Sequence, residues 1–222
     1  MSQHTPGSRN IQIAVTASQN VNIRVNGQTA VELRTPAFPR PLHTETLREI
    51  DLLKAIHALT EFTGRETLLQ EFVEWCRHPR PLSLRTLIGR GGAGKTRFAY
   101  ELYRECRQWP EWSAHFVRFL ADEAKEINLW EEVKSPNTLL IIDYASEVAK
   151  PLADLMRPLI EPGPSNRRLR VLLLARTADW DQGWLASLRS GRTETRTCCF
   201  IHKSPKKCLR SIFPTGVCCS LA

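Results

Sequence analysis

The stretch Gly89-Arg-Gly-Gly-Ala-Gly-Lys-Thr96 constrains this chain more than any other feature. It fits G-x-x-x-x-G-K-[ST] with every fixed position filled. An apolar run from Leu84 to Ile88 precedes it, and helical periodicity follows from Lys95 to about Cys106. Strand, glycine-rich turn and helix together gather backbone N–H groups into one concavity, and the opening helix adds unpaired N–H groups and a positive dipole end. Gly91, Gly92 and Gly94 supply the backbone freedom, with Gly89 and Ala93 completing the loop. Phosphate oxygens suit such a cradle. Lys95 is placed to reach β- and γ-phosphates, and the Thr96 hydroxyl to ligate Mg2+. Gly89, Gly91 and Gly94 also satisfy G-x-G-x-x-G, with Asp122 beyond the next strand as a ribose-binding acid. A dinucleotide loop has no task for Lys95-Thr96, so the first reading is preferred.

Around this loop the pattern alternates. Strands are expected at Leu84 to Ile88, Ala114 to Leu120, Thr138 to Ile142 and Leu169 to Leu174. Helices are expected at Glu66 to Cys76, Lys95 to Cys106, Ala121 to Val133 and Val148 to Leu159. Such alternation means a parallel sheet with crossover helices. Upstream, Ile11, Ile13 and Val15, then Val21, Ile23 and Val25, alternate with polar residues, giving a hairpin turned at 16–20, and Asn26-Gly27 marks a further turn. Pro36, Pro39 and Pro41 read as a stiff linker, and Leu47, Ile50, Leu53, Ile56 and Leu59 as an amphipathic helix. The expected units are a hairpin element at 1–30, a linker at 31–45, a nucleotide-binding domain at 46–190 and a tail at 191–222. An isolated hairpin is marginal, so this one is expected to contact a partner protein or a second copy.

Two further residues belong with the loop. Thr138 to Ala145 reads TLLIIDYA, a buried strand ending in Asp143, 47 residues after Thr96. A carboxylate at that strand end can hold the magnesium hydration shell. Relatives of this layout that hydrolyse nucleotide place a second acid next, where this chain has Tyr144; Glu147 is the nearest acid. The third apolar strand, LRVLLLART, ends at Arg176, whose guanidinium can face a γ-phosphate and report nucleotide state.

These pieces resemble the STAND class of P-loop NTPases, signalling relatives of the AAA+ and NB-ARC ATPases. The likeness runs from about Phe62 to Leu188 and rests on FTGRE (Phe62 to Glu66), GRGGAGKTR (Gly89 to Arg97), LLIIDYA, and LLLAR followed by Trp180. It implies an α/β P-loop NTPase fold, a parallel sheet flanked by helices with the sensor strand between the phosphate-loop and metal-acid strands. It implies ATP and Mg2+ as ligands, Gly64 and Arg65 beside the base or ribose, Arg97 in the cofactor set, and a slow ATP switch with weak hydrolysis. Lys95, Asp143 and Arg176 would form its catalytic set, and Thr96 and Asp143 its metal set. No N-K-x-D motif for guanine is present. The chain departs from the pattern at Tyr144 and after the Arg176 strand, where no lid or winged helix follows; the sheet is therefore expected to be incomplete at its carboxyl end.

Composition limits the alternatives. The hydrophobic fraction of 42% fits a globular chain, no apolar run approaches membrane-spanning length, and no secretory leader is visible, so a cytoplasmic protein is expected. The net charge of +8 looks like a nucleic-acid binder's, but residues 191–222 carry six basic residues against one acid and so hold five of those charges. No nucleic-acid partner is expected. The same segment holds five of the seven cysteines, without a C-x-x-C pair, and reads as a disordered, non-native tail rather than a zinc site. The rival function class is a non-enzymatic remnant that acts, if at all, through protein contacts; a small-molecule kinase is less favoured because no arginine-rich lid follows.

Overall fold

A computed structural model of the chain describes residues 21–25, 29–41, 49–120, 135–160, 167–177, 183–185 and 198–202. Seven strands form one mixed sheet: β1 (Val21–Val25), β2 (Thr29–Arg34), β3 (Leu82–Ile88), β4 (Trp112–Leu120), β5 (Asn137–Ile142), β6 (Arg168–Ala175) and β7 (Cys198–His202). Their spatial order is β1-β2-β4-β5-β6-β3-β7. The first two strands pair antiparallel and β2 meets β4 antiparallel; every pairing from β4 to β7 is parallel. The strand ending at Arg176 thus lies between the strand feeding the glycine-rich loop and the strand ending at Asp143, as the resemblance implied.

The core follows from the strand sequences. All six residues of β5 are buried, as is most of β6, which is what a parallel sheet covered on both faces requires. One face packs on α2 (Glu66–Arg77) and α3 (Lys95–Arg107), through Phe72, Phe98 and Leu102 against Ile141, Leu172 and Leu174. The other face packs on α4 (Ala149–Ile160), through Leu152, Leu155 and Met156 against Leu140, Ile142 and Leu173. Helix boundaries fall within about two residues of the sequence reading, because apolar period and burial coincide in these segments.

An arginine sits inside this core. Arg170 is fully buried on β6, and its guanidinium donates to the carbonyls of Trp75 (3.0 Å), Leu169 (2.9 Å) and His78. It serves as a side-chain cap for the carboxyl end of α2, whose last carbonyls have no helical donor. Burial lowers its pKa to about 10.

Four expectations are corrected. Val21–Val25 pairs with Thr29–Arg34, a hairpin that extends beyond residue 30, while the expected partner strand Ile11 to Val15 lies outside the described residues. Its second strand therefore runs into the expected linker, whose first four residues are sheet. The single amphipathic helix through Leu59 is instead α1 (Glu49–Leu52) and a 3-10 turn (Ala55–His57), and Leu53 is 82% exposed. A four-residue helix has too few bonds to offset nucleation, and no core face receives its apolar stripe. Finally, the tail expected to be disordered contributes β7, parallel to β3, so the sheet continues past the glycine-rich strand. The pairing of Cys199 with Leu84 and Ile201 with Thr86 gives β3 a neighbour on its second side, which a buried parallel strand needs. The expected helix from Ala121 to Val133 lies outside the described residues. Among the described residues no helix is long and apolar enough to cross a membrane.

Candidate functional site

The carboxyl ends of β3, β5 and β6 converge on one cleft of about 410 Å3. The glycine-rich loop forms its floor. Gly92 and Gly94 adopt φ values of 73° and 77°, the left-handed conformations that make the loop possible, whereas Gly89 and Gly91 do not have positive φ. The loop is anchored where Gly89 N–H donates to the Ala175 carbonyl at 3.2 Å, tying the end of β3 to the end of β6. At its far end Gly94 caps α3 without a side-chain acceptor, and no acid stands in the helix's first turn. The positive end of a thirteen-residue helix is left facing the cleft.

Lys95 and Thr96 behave differently. The Lys95 ammonium folds back and donates to the carbonyls of Gly89 (2.7 Å) and Arg90 (3.0 Å). The Thr96 hydroxyl donates to Asp143 Oδ2 at 2.8 Å, spanning 47 residues of sequence. The other Asp143 oxygen accepts the Tyr144 backbone N–H at 2.9 Å. That bond holds Tyr144 at φ 54°, a conformation a β-carbon disfavours by about 1–2 kcal/mol. A 3-10 turn (Ala145–Val148) follows and bends Ser146 and Glu147 back into the cleft wall. The turn thus brings Glu147, the nearest acid in sequence after Asp143, to the cleft.

Positive charge dominates the cleft. Burial depresses the Lys95 pKa, Asp143 opposes that shift, and Arg176 and Arg65 add to it. Lys95 thus feels two like charges, Arg176 and Arg65, and one opposite charge, the Asp143 carboxylate that is already bonded to Thr96 and Tyr144. Arg176 lines the cleft and is exposed. Arg65 lies behind the loop, its guanidinium 3.6 Å from where a β-carbon on Gly94 would be, and neither it nor Gly64 lines the cleft. Arg97 lines it too, but its guanidinium is committed to the buried Glu101 at 2.7 Å. Sequence reasoning missed the outer wall, where Leu52, Leu53 and Leu59 present apolar surface beside the loop. The sequence offered no signal for this, because the same residues have the spacing of an amphipathic helix and only the structure shows them exposed.

The donor set suits magnesium. A hydroxyl and one carboxylate are hard oxygen ligands that leave room for water and phosphate oxygens, which is how that ion is usually held. Among the described residues no group of three or more His, Cys, Asp or Glu forms a closed metal site.

No family model matches the chain, and no curated protein matches it. Among solved structures it is similar to the Aeropyrum pernix ORC2 protein, determined as ADPNP–ADP complexes, with 14% identity and a TM-score of 0.41. The match covers 59% of this chain and 45% of that one, so the chain spans less than half the length of that protein.

Proposed function

We propose that the chain binds ATP with Mg2+ in this cleft and works as a slow nucleotide switch of the STAND type. The observation that carries the reading is the Thr96–Asp143 bond, which joins a complete phosphate-binding motif to the acid expected to serve it. Loop N–H groups and the end of α3 receive the phosphate chain. Lys95 exchanges its two loop carbonyls for phosphate oxygens, whose negative charge offsets the repulsion from Arg65 and Arg176. Thr96 and Asp143 hold magnesium, which when bound neutralises phosphate charge. Arg176 meets the outermost phosphate and distinguishes ATP from ADP. Leu52, Leu53 and Leu59 offer the base an apolar wall, with Gly64 and Arg65 supporting the loop from behind.

Weak hydrolysis follows from the position after Asp143. Tyr144 cannot accept a proton from water at neutral pH, and Glu147, though in the cleft, is on an exposed turn. Titration calorimetry tests the proposal. Mg-ATP is expected to bind with about 1:1 stoichiometry, to lose affinity when magnesium is chelated, and to lose that magnesium dependence in Asp143→Asn. Absence of binding to the folded chain would leave the remnant reading in its place.

A further inference from the structure

Residues 35–41 follow β2 and lie as a strap along one face of α3, where Arg97, Tyr100 and Tyr103 recur at about one helical turn. The Phe38 ring stacks on Tyr100 at 5.0 Å, and the Arg97 guanidinium lies 5.6 Å from the centre of the same ring. One turn further on, the Tyr103 hydroxyl donates to the Pro36 carbonyl at 2.9 Å and accepts from Arg107 at 2.7 Å. The strap is thus fastened to the helix whose amino end closes the phosphate loop.

At its far end the strap holds the outer wall of the cleft. The Arg40 N–H donates to the Ile56 carbonyl, and His57 Nδ1 donates to the Arg40 carbonyl, both at 2.9 Å. A carbonyl only accepts, so Nδ1 carries the proton. Ile56 and His57 belong to the 3-10 turn (Ala55–His57), in which no residue is buried. Packing therefore fixes this turn weakly, and its bonds to Arg40 carry much of the restraint. Leu53 and Leu59 flank the turn and line the cleft. Ala58, just after the turn, is held at φ 51°, a conformation that a β-carbon disfavours and that persists only where the surroundings impose it.

We propose that Arg40 and His57 are positioning residues for the base: through them the strap sets where the apolar wall stands, and so how strongly the cleft prefers a nucleoside triphosphate to bare triphosphate. The inference rests on the nucleotide reading above and adds to it the device that aligns the wall.

Titration calorimetry of the full chain with Mg-ATP and with Mg-tripolyphosphate tests it. The parent is expected to bind ATP more tightly than tripolyphosphate. His57→Ala, a change outside both core clusters, is expected to lose about threefold to tenfold in ATP affinity, the worth of one hydrogen bond, with tripolyphosphate affinity unchanged. His57→Asn, whose amide can present a donor near the place of Nδ1, is expected to recover most of that loss. Equal losses for both ligands would mark a structural effect and overturn the proposal, as would undiminished ATP affinity in His57→Ala or no recovery in His57→Asn. A parent that binds tripolyphosphate and ATP equally would overturn this inference while sparing the phosphate cradle. A parent that binds neither would overturn the nucleotide reading itself, and this inference with it.

Discussion

Replacing Lys95 by Met separates what the loop contributes to binding from what it costs the fold. The ammonium holds two carbonyls, at 2.7 and 3.0 Å, yet its pKa is depressed. Burial is the main cause, with Arg176 and Arg65 adding to it against the pull of Asp143. A depressed pKa means that the folded chain disfavours the charged form despite those bonds. That penalty is present at neutral pH and fades only as pH rises through the folded pKa toward the ordinary 10.5. Because the group is largely solvated the effect is small, so Lys95→Met is expected to leave the ligand-free protein equally stable or up to about 1 kcal/mol more stable. The liganded protein behaves oppositely. At a nucleotide concentration one hundred times Kd, binding adds about 2.7 kcal/mol, or a rise of roughly 5–10 °C in Tm for a chain of this size. Differential scanning calorimetry with and without Mg-ATP reads both quantities. The variant should lose most of the nucleotide-induced rise and show no fall in its own Tm. A ligand-free variant destabilised by more than about 1 kcal/mol would refute the electrostatic account, and a full nucleotide response would refute the placement of phosphate.

Three further outcomes are expected. Arg176→Ala should bind ADP as the parent does but lose about tenfold of any preference for ATP, read by competitive titration, since a charge-assisted contact to the last phosphate is removed. Arg170→Met should lower unfolding free energy in urea by about 1–3 kcal/mol, because the His78 carbonyl loses its donor while the desolvated charge disappears. Arg170→Lys should cost more, keeping the charge without the three-way fork, and a lysine variant as stable as the parent would contradict that. Burial lowers the His115 pKa to about 4 from 6.5, with Arg107 adding to the shift, and its Nδ1 is buried without a partner. The unfolded chain therefore binds the extra proton between those values. Stability is full above pH 6.5 and falls by about 3 kcal/mol in all as pH drops through 4, a loss that His115→Gln should flatten in pH-dependent melts.

Local chemistry made much of this readable in the sequence. The glycines, Lys95 and Thr96 are dictated by backbone geometry and phosphate charge over eight consecutive residues, and the β5 and β6 strands declare themselves by unbroken apolar runs. Asp143 could be matched to the loop because the strand end fixes where a carboxylate emerges. Other features depend on neighbours that sequence does not adjoin. That Val21–Val25 pairs forward with Thr29–Arg34 was not legible locally, because β2 is held in place by β4, its antiparallel partner more than 70 residues away. The apolar residues around Leu53 have helical spacing, yet no core face lies opposite them, so they line a cleft instead. Arg170 reads as a charged intrusion in a strand and becomes a helix cap only because the end of α2 lies over it. Periodicity and backbone constraint act within a few residues and are legible there. Strand partners, cavities and the burial of charge arise from contacts across the fold, and only the packed sheet could assign them.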